Sequence, residues 1–349
     1  MNPRRFLLSR TDRLGDLILS TPVATALKKE FPDAEIFFLA QRYDAEILSI
    51  HPHVQGVIDF DPSRARRDLI AQLRAYDFDA VLALFPRPDL AWVFYRAGIP
   101  MRIGTGYRWY GFLYTHRLYE HRKDARRHEA EYNLQLLRPM GIVDAKVEFH
   151  SRFSPQQAEQ VHVKLAELGL RERFIVLHPG SGGSSRDWPP EHFAELAGHL
   201  GGTLRHQVVV TGHAHEKSLT QYLLQHAHTG ILDLSGRLNL VELAGLLRRA
   251  ELFVSNSTGP LHLAVMMKTP VMAFYPPITA CRPERWGPYG RREDVLMSQA
   301  EECFRCASSH ERACQCMRDI SVAEAMQKAE EKLALLVRTE SESLRAPTD

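Results

Sequence analysis

The chain has 349 residues, 44% of them apolar and 25% charged, with a formal net charge of +2. That length exceeds one typical domain and suits two, each able to bury its own core. So small a net charge carries no long-range electrostatic message, and no nucleic-acid partner is expected. The N-terminus MNPRRFLLSRTDR places two arginines before a short apolar run, which Ser9, Arg10 and Asp12 interrupt. That is too short for the apolar core of a secretory signal, and no segment approaches the roughly 18 apolar residues of a spanning helix. A cytoplasmic protein is expected. Short β-branched or aromatic runs then predict strands at Arg5–Ser9, Ile36–Ala40, Gly56–Asp59 and Ala80–Leu84. Helical patterns separate them, among them Pro22–Phe31, where Thr21 can cap and Pro22 suits the first turn. The segment His128–Met140 closes this half as a helix, and a linker falls around 143–155. A second series follows, with strands at Phe174–His178, Gln207–Thr211, Ile231–Leu234, Glu251–Ser255 and Pro270–Tyr275. Helices are read at Pro190–Leu200, His215–His226, Leu240–Arg248 and Pro260–Met267, and a charged helix at Val322–Arg338. Helix-sized segments between strands imply βαβ units and parallel sheets. The expected fold class is α/β, with two Rossmann-like domains facing across a cleft. The expected domains are 1–150 and 156–320, with a C-terminal helix and tail over 321–349.

In open α/β sheets ligands bind beyond the carboxyl ends of the strands, so the loops there are where chemistry is sought. The first strand exits into Arg10-Thr-Asp-Arg-Leu-Gly-Asp16. Gly15 lets backbone pass close to a ligand, and Asp16 stands where the next helix begins. By local chemistry alone Asp16 reads as a helix-start acid favoured by the helix dipole. The second half opens with a stronger signal, His178-Pro-Gly-Ser-Gly-Gly-Ser-Ser-Arg-Asp-Trp-Pro189. Its glycines and serines leave amides and hydroxyls free to wrap a phosphate, Arg186 adds a positive fork, and a helix start follows. Further on, Val254-Ser-Asn-Ser-Thr-Gly-Pro-Leu-His262 again runs from strand into helix. There Ser257, Thr258 and the Gly259 amide form a second anion-binding turn, with His262 on the first helical turn. Two phosphate-style turns, without a Walker lysine pattern or GxGxxG, point to a diphosphate nucleotide held in another way and away from an NAD oxidoreductase.

Charge is uneven locally: eight bases against two acids between Arg96 and Arg127 give a local +6. Such a segment can attract phosphates or an anionic membrane surface, or it can be a solvated face. Four of the five cysteines crowd together as Cys303-x2-Cys306-x7-Cys314-x-Cys316. A disulfide framework is not expected in a cytoplasmic protein. The four thiolates could hold zinc or an iron–sulfur centre as a structural site, or stand as reduced thiols packed under a loop; the seven-residue interval is short for a zinc ribbon.

Together these stretches resemble the family 9 glycosyltransferases, the ADP-heptose:lipopolysaccharide heptosyltransferases, which have the GT-B fold. The resemblance runs through RTDRLGDLILSTPVATALKKEFPDAEI, RIGTG, HPGSGGSSRDWPPEHFAELA, VVVTGHAHE, DLSGRLNLVELAGLLRRAELFVSNSTGPLHLAVMMKTPVMAFYPP and RWGPYG. It implies that Asp16 is the general base and that Arg186 stands where a lysine usually neutralises the leaving group. It implies donor contacts at Gly15, Ser184, Ser185, Thr258, Gly259 and His262, ribose binding at Glu216 and adenine reading near Leu238. Ser257 departs from the family, which commonly has aspartate there. The expected activity is inverting transfer of a sugar, heptose foremost, from an ADP-sugar to a lipopolysaccharide core or related lipid-linked acceptor. No cofactor and no catalytic metal are expected, since no Asp-x-Asp motif stands beside these loops. The acceptor is expected in the first domain near Arg102, Arg108, Arg122 and Lys123, with transient contact at the inner membrane surface, and catalysis is expected to require closure of the cleft. Two other readings stay open: a nucleotide-sugar epimerase of the same shape and a non-catalytic nucleotide-sugar binding protein.

Overall fold

The computed structural model describes residues 4–299, 303 and 314–343. The chain divides into two compact units, Met1–Ser154 and Pro155–Asp349. The first unit carries β1 (Arg5–Ser9), β2 (Glu35–Gln41), β3 (Gly56–Phe60), β4 (Ala80–Ala83), β5 (Met101–Thr105) and β6 (His116–Leu118). They pair in parallel in the order β3-β2-β1-β4-β5-β6. The second unit carries β7 (Phe174–His178), β8 (Gln207–Val210), β9 (Ile231–Asp233), β10 (Leu252–Asn256), β11 (Val271–Tyr275) and β12 (Val295–Met297). Their order is β12-β11-β10-β7-β8-β9, again all parallel. Counted within its own unit, each sheet has the 3-2-1-4-5-6 order of a Rossmann fold. In each the chain direction of strand addition reverses once, between β1 and β4 and between β7 and β10. Those two switch points are where loops leave the sheet on diverging paths and open space for a ligand.

The central strands are continuous apolar runs because helices cover both sheet faces. Phe6, Leu7 and Leu8 of β1 are fully buried, as are Ile175, Val176 and Leu177 of β7. The helix Thr21–Glu30 has Pro22 in its first turn and buries Val23, Ala24 and Leu27. The stretch 128–140 is not one helix: the α-helix Glu129–Leu134 gives way to a 3-10 segment, Gln135–Met140. Pro139 lies inside that segment and lacks the amide that an α-helix would need there. In the second unit the C-terminal helix Val322–Ser343 buries Val322, Ala325, Ala329 and Leu333 in the same core cluster as Trp188, Phe193 and Phe274. No described helix is long and apolar enough to cross a membrane.

Trp188 is central to that cluster. Its ring stacks on Phe274 at a centroid distance of 4.0 Å, and its Nε1 donates to the Ile320 carbonyl at 2.9 Å. Replacing it leaves a void that the surrounding strands cannot collapse into. Trp188→Ala should therefore destabilise the second unit by about 3–5 kcal/mol, seen as an earlier denaturant midpoint by circular dichroism. An unmoved midpoint would contradict the stacking role.

Candidate active site

Where β1 ends, Arg10 turns inward and is almost wholly buried. Its Nε donates to Asp12 Oδ1 at 2.8 Å, and its Nη1 reaches Glu129 Oε1 at 3.2 Å, Asn133 Oδ1 at 3.3 Å and the Leu84 carbonyl at 3.3 Å. Its Nη2 pairs with Asp16 Oδ1. Glu129 also accepts from Arg122 Nη1 at 2.5 Å, and Asn133 Nδ2 donates to the Leu19 carbonyl at 3.1 Å. Burial alone would favour a neutral Arg10, but Asp12, Asp16 and Glu129 outweigh it and hold the guanidinium charged. The carboxylates are in excess, however. Burial, with the charges of Asp12 and Glu129, raises Asp16 to about 6 despite the opposing pull of Arg10. Asp44, in the short helix after β2, is likewise raised to about 6 by burial and by the charges of Asp12 and Asp16. Asp16 sits in the first turn of the helix Leu14–Ile18 with its side chain 17% exposed, and Gly15 is buried beside it. Arg10 ties down Oδ1.

A cavity of about 440 Å³ lies beyond β4 and β5 in the same unit, lined by Leu84, Pro86, Thr105, Arg108, His121, Arg122 and Lys123, among others. The motif RIGTG forms part of its wall. A Cβ on Gly104 would fall 2.6 Å from the Tyr114 ring, and one on Gly106 would fall 2.4 Å from the Tyr119 ring. Of the four basic residues proposed from sequence to bind an acceptor, Arg108, Arg122 and Lys123 line this cavity. Arg102 does not. Its Nε donates to the Leu113 carbonyl at 2.8 Å and its Nη1 to the Ile99 carbonyl, so it closes the loop between β5 and β6.

In the second unit the loops after β7 and β10 meet at the switch point. Asn256 ties them, with Oδ1 accepting from the Trp188 amide at 2.8 Å and Nδ2 donating to the Pro179 carbonyl at 2.6 Å. Ser184 Oγ bridges them again, donating to the carbonyls of Ser181 at 2.8 Å and Ser257 at 3.0 Å. Gly182 and Gly183 take φ of 58° and 78°, a left-handed bend that favours glycine. Ser185 is buried beside the Cys281 thiol, which burial pushes up against the opposing influence of Ser185 and Arg186. Glu216 packs under this loop so closely that a Cβ on Gly180 would lie 2.1 Å from its Oε1. Its Oε1 accepts from the Gly182 amide at 3.2 Å and its Oε2 from the His213 amide at 3.0 Å. Burial would raise Glu216, but these amides and nearby His178 and His213 bring it below the ordinary carboxylate range. Thr258 precedes the helix Gly259–Met266, and His262 is buried in that helix. Leu238 is half-buried in the loop before the helix Leu240–Arg249.

Glu216, Ser184, Ser257, Thr258 and Gly259 are therefore gathered at one sheet edge, whereas Gly15, grouped with them on sequence, belongs to the first unit beside Asp16. Sequence reasoning missed Arg10, Glu129, Asn133 and Asn256 as supports. Arg10 and Asn256 lie inside the motifs, but their partners are 119 and 77 residues distant. Cys303, Cys314 and Cys316 bring their sulfurs within 4.8 Å of one another; Cys306 lies outside the described residues.

Two Rossmann-ordered sheets, one carrying an acid of raised proton affinity at its carboxyl end and the other an amide-rich loop, are the architecture of the GT-B class. The profile of glycosyltransferase family 9 (heptosyltransferase) matches residues 66–316, and the chain belongs to that family. A putative glycosyltransferase of Haemophilus influenzae is 30% identical over 299 residues, 81% of this chain and 86% of that protein. Lipopolysaccharide heptosyltransferase 3 of Escherichia coli is 27% identical over 277 residues, 75% of this chain and 79% of its own length. The structure of E. coli ADP-heptose lipopolysaccharide heptosyltransferase II has the same fold, with a TM-score of 0.77 and 22% identity over 95% of this chain and 99% of that one. Membership decides among the readings left open by the sequence in favour of a transferase.

The raised proton affinity of Asp16 has a consequence for stability. Between its ordinary value of 3.8 and about 6 the native state holds a proton that the unfolded chain has released. Stability from this group is present below that window and lost as pH rises through it. Asn mimics the protonated acid, so Asp16→Asn should raise Tm at pH ~8 and leave it nearly unchanged at pH ~4. A Tm gain confined to acid would reverse the sign and refute the assignment.

Proposed function

We propose that the protein is an inverting glycosyltransferase that moves a heptose from ADP-heptose to a lipopolysaccharide core or related lipid-linked acceptor, without a metal in the transfer step. The observation that carries the reading is Asp16, a carboxylate of raised proton affinity with one oxygen fixed by buried Arg10. The names of the E. coli relatives, one a lipopolysaccharide heptosyltransferase and one using ADP-heptose, support the donor and acceptor. In this reading residues 1–150 supply the base and the acceptor groove, residues 156–320 hold the donor, and within 321–349 the helix Val322–Ser343 braces the donor domain.

Asp16 Oδ2 takes the proton of an acceptor hydroxyl as that oxygen attacks the anomeric carbon of the sugar, and the bond to the diphosphate breaks on the opposite side. Negative charge then collects on the leaving group. Arg186, the hydroxyls of Ser185 and Thr258, that of Ser184 once it turns from the Ser181 and Ser257 carbonyls, and the amides opening the helix Gly259–Met266 balance it in place of a metal. Ser257 adds its backbone to that turn and His262 faces the same phosphate. Each oxygen of Glu216 keeps a lone pair beyond its amide bond, free for a ribose hydroxyl. The backbone near Leu238 reads the adenine.

Asp16→Asn should lower kcat by about 10²–10⁴-fold while the Kd for ADP measured by calorimetry is unchanged. The wild-type kcat/KM should fall as pH drops below about 6, where Asp16 gains its proton. Normal turnover in the variant would remove Asp16 from the mechanism.

The acceptor face of this reading combines the cavity bases with exposed aromatics, Trp109 at 81%, Phe112 at 64% and Tyr119 at 58% exposure. Rings beside cations suit the headgroup layer of an anionic membrane, where a lipid-linked acceptor is presented. Arg108→Glu with Lys123→Glu should raise the acceptor KM by roughly tenfold and leave the donor KM alone. Trp109→Ser with Phe112→Ser should weaken cosedimentation with anionic vesicles; unchanged values in both assays would discard this face.

A further inference from the structure

We propose that Cys303, Cys314 and Cys316 form a structural site for a thiolate-bound divalent cation, zinc or iron, that pins the C-terminal edge of the second unit beneath the donor loop. The three sulfurs all lie within 4.8 Å of one another, and Cys303 Sγ stands 3.4 Å from Cys314 Sγ. A disulfide would require about 2.05 Å, so these two sulfurs are not joined. Sulfurs bound tetrahedrally at about 2.3 Å from zinc are separated by roughly 3.8 Å, within the range these thiols already span. Small shifts of the side chains would bring all three into a coordination shell. Packing alone asks a buried cysteine only to fill space; it does not ask the sulfur of Cys303 to meet those of Cys314 and Cys316, eleven and thirteen residues on.

The position of the cluster gives the metal a task. The Cys303 amide donates to the Pro277 carbonyl at 2.9 Å, just past β11. Cys314 and Cys316 flank the start of the short helix Gln315–Arg318, which leads to Met317 and Ile320, both buried. Ile320 accepts the Trp188 indole bond, and Trp188 follows Arg186 and Asp187 in the donor loop. One ion at the three sulfurs would therefore join the segment after β12 to the base of the helix Val322–Ser343 and, through Ile320 and Trp188, support the loop after β7. Soft thiolates select zinc or iron over magnesium or calcium. Each thiol gives up its proton as the metal binds, and three thiolates leave one coordination position for a further ligand.

The test is elemental analysis of the full-length protein purified from cells supplied with both zinc and iron. Roughly one atom of zinc or iron per chain is expected, the iron form coloured by thiolate charge transfer and the zinc form colourless. Removing it with a chelator should lower Tm and expose about three further thiols to a thiol reagent, and adding the metal back should reverse both changes. Cys303→Ser, Cys314→Ser and Cys316→Ser should each reduce the metal content to below roughly a tenth. The chelation and re-addition on the wild-type chain decide independently of how well the variants fold. The proposal is overturned by a metal-free chain with the same Tm and thiol reactivity before and after chelation, by metal retained in the triple serine variant, or by a Cys303–Cys314 disulfide in the peptide map.

Discussion

The guanidinium of Arg10 is taken out of water at the end of β1, and a buried cation is tolerated only when its hydrogen bonds and its charge are answered on the spot. That requirement organises the carboxyl edge of the first sheet. Arg10 draws together Asp12 from the loop after β1, Asp16 from the helix Leu14–Ile18, the Leu84 carbonyl from the end of β4, and Glu129 and Asn133 from a helix far along the chain. Glu129 and Asn133 are four residues apart, one helical turn, so both reach the same guanidinium. Glu129 passes the constraint on to Arg122 and so to the wall of the cavity. The switch point between β1 and β4 supplies the gap; Arg10 decides what fills it.

The second unit meets the same topological gap with different chemistry. Asn256, a neutral side chain with a donor and an acceptor, links the Trp188 amide to the Pro179 carbonyl, and Ser184 adds a bridge to the other turn. Glu216 sits beneath them, with amides of Gly182 and His213 answering its charge. The contrast is between an edge rich in negative charge, which raises the proton affinity of a carboxylate, and an edge of amides, hydroxyls and Arg186, which suits an incoming anion. Gly180 shows how tightly the second arrangement is set, since no side chain fits between its backbone and Glu216.

Much of the fold was legible because strands covered on both faces are continuous apolar runs, and β1 and β7 span the residues their hydrophobicity indicates. The strands that escaped notice are those lacking such a run. β5 is MRIGT, next to the edge, β6 is HRL, at the edge of the sheet where charged and polar residues are tolerated, and β12 has only three residues. At the candidate site, sequence displays Asp16 and the glycine-serine loop because they are local in the chain. It does not display the partner of a buried charge. Nothing near Arg10 in the sequence points to Glu129, and Arg102, one base among eight, is told from Arg108 only by the carbonyls it reaches.

Asp16 is not the only acid at this edge, and the reason to prefer it lies in how the charges are shared. Asp12 is gripped by Arg10 Nε, and the carbonyl of its own residue accepts from Gln41, which fixes that turn. Asp44 has a proton affinity raised as far as that of Asp16, but it follows β2, one strand removed from the switch point, and no ion pair of it is seen among the described residues. Asp16 alone combines a raised affinity, a place at the switch point and an oxygen oriented by a fixed cation. Asp44 still matters, because its own raised affinity depends in part on Asp16 being ionised. The charges that raise Asp16 itself are those of Asp12 and Glu129, with burial ahead of both. The proton-accepting capacity at this edge therefore belongs to Asp16 in position and to the Arg10 cluster as a whole in strength.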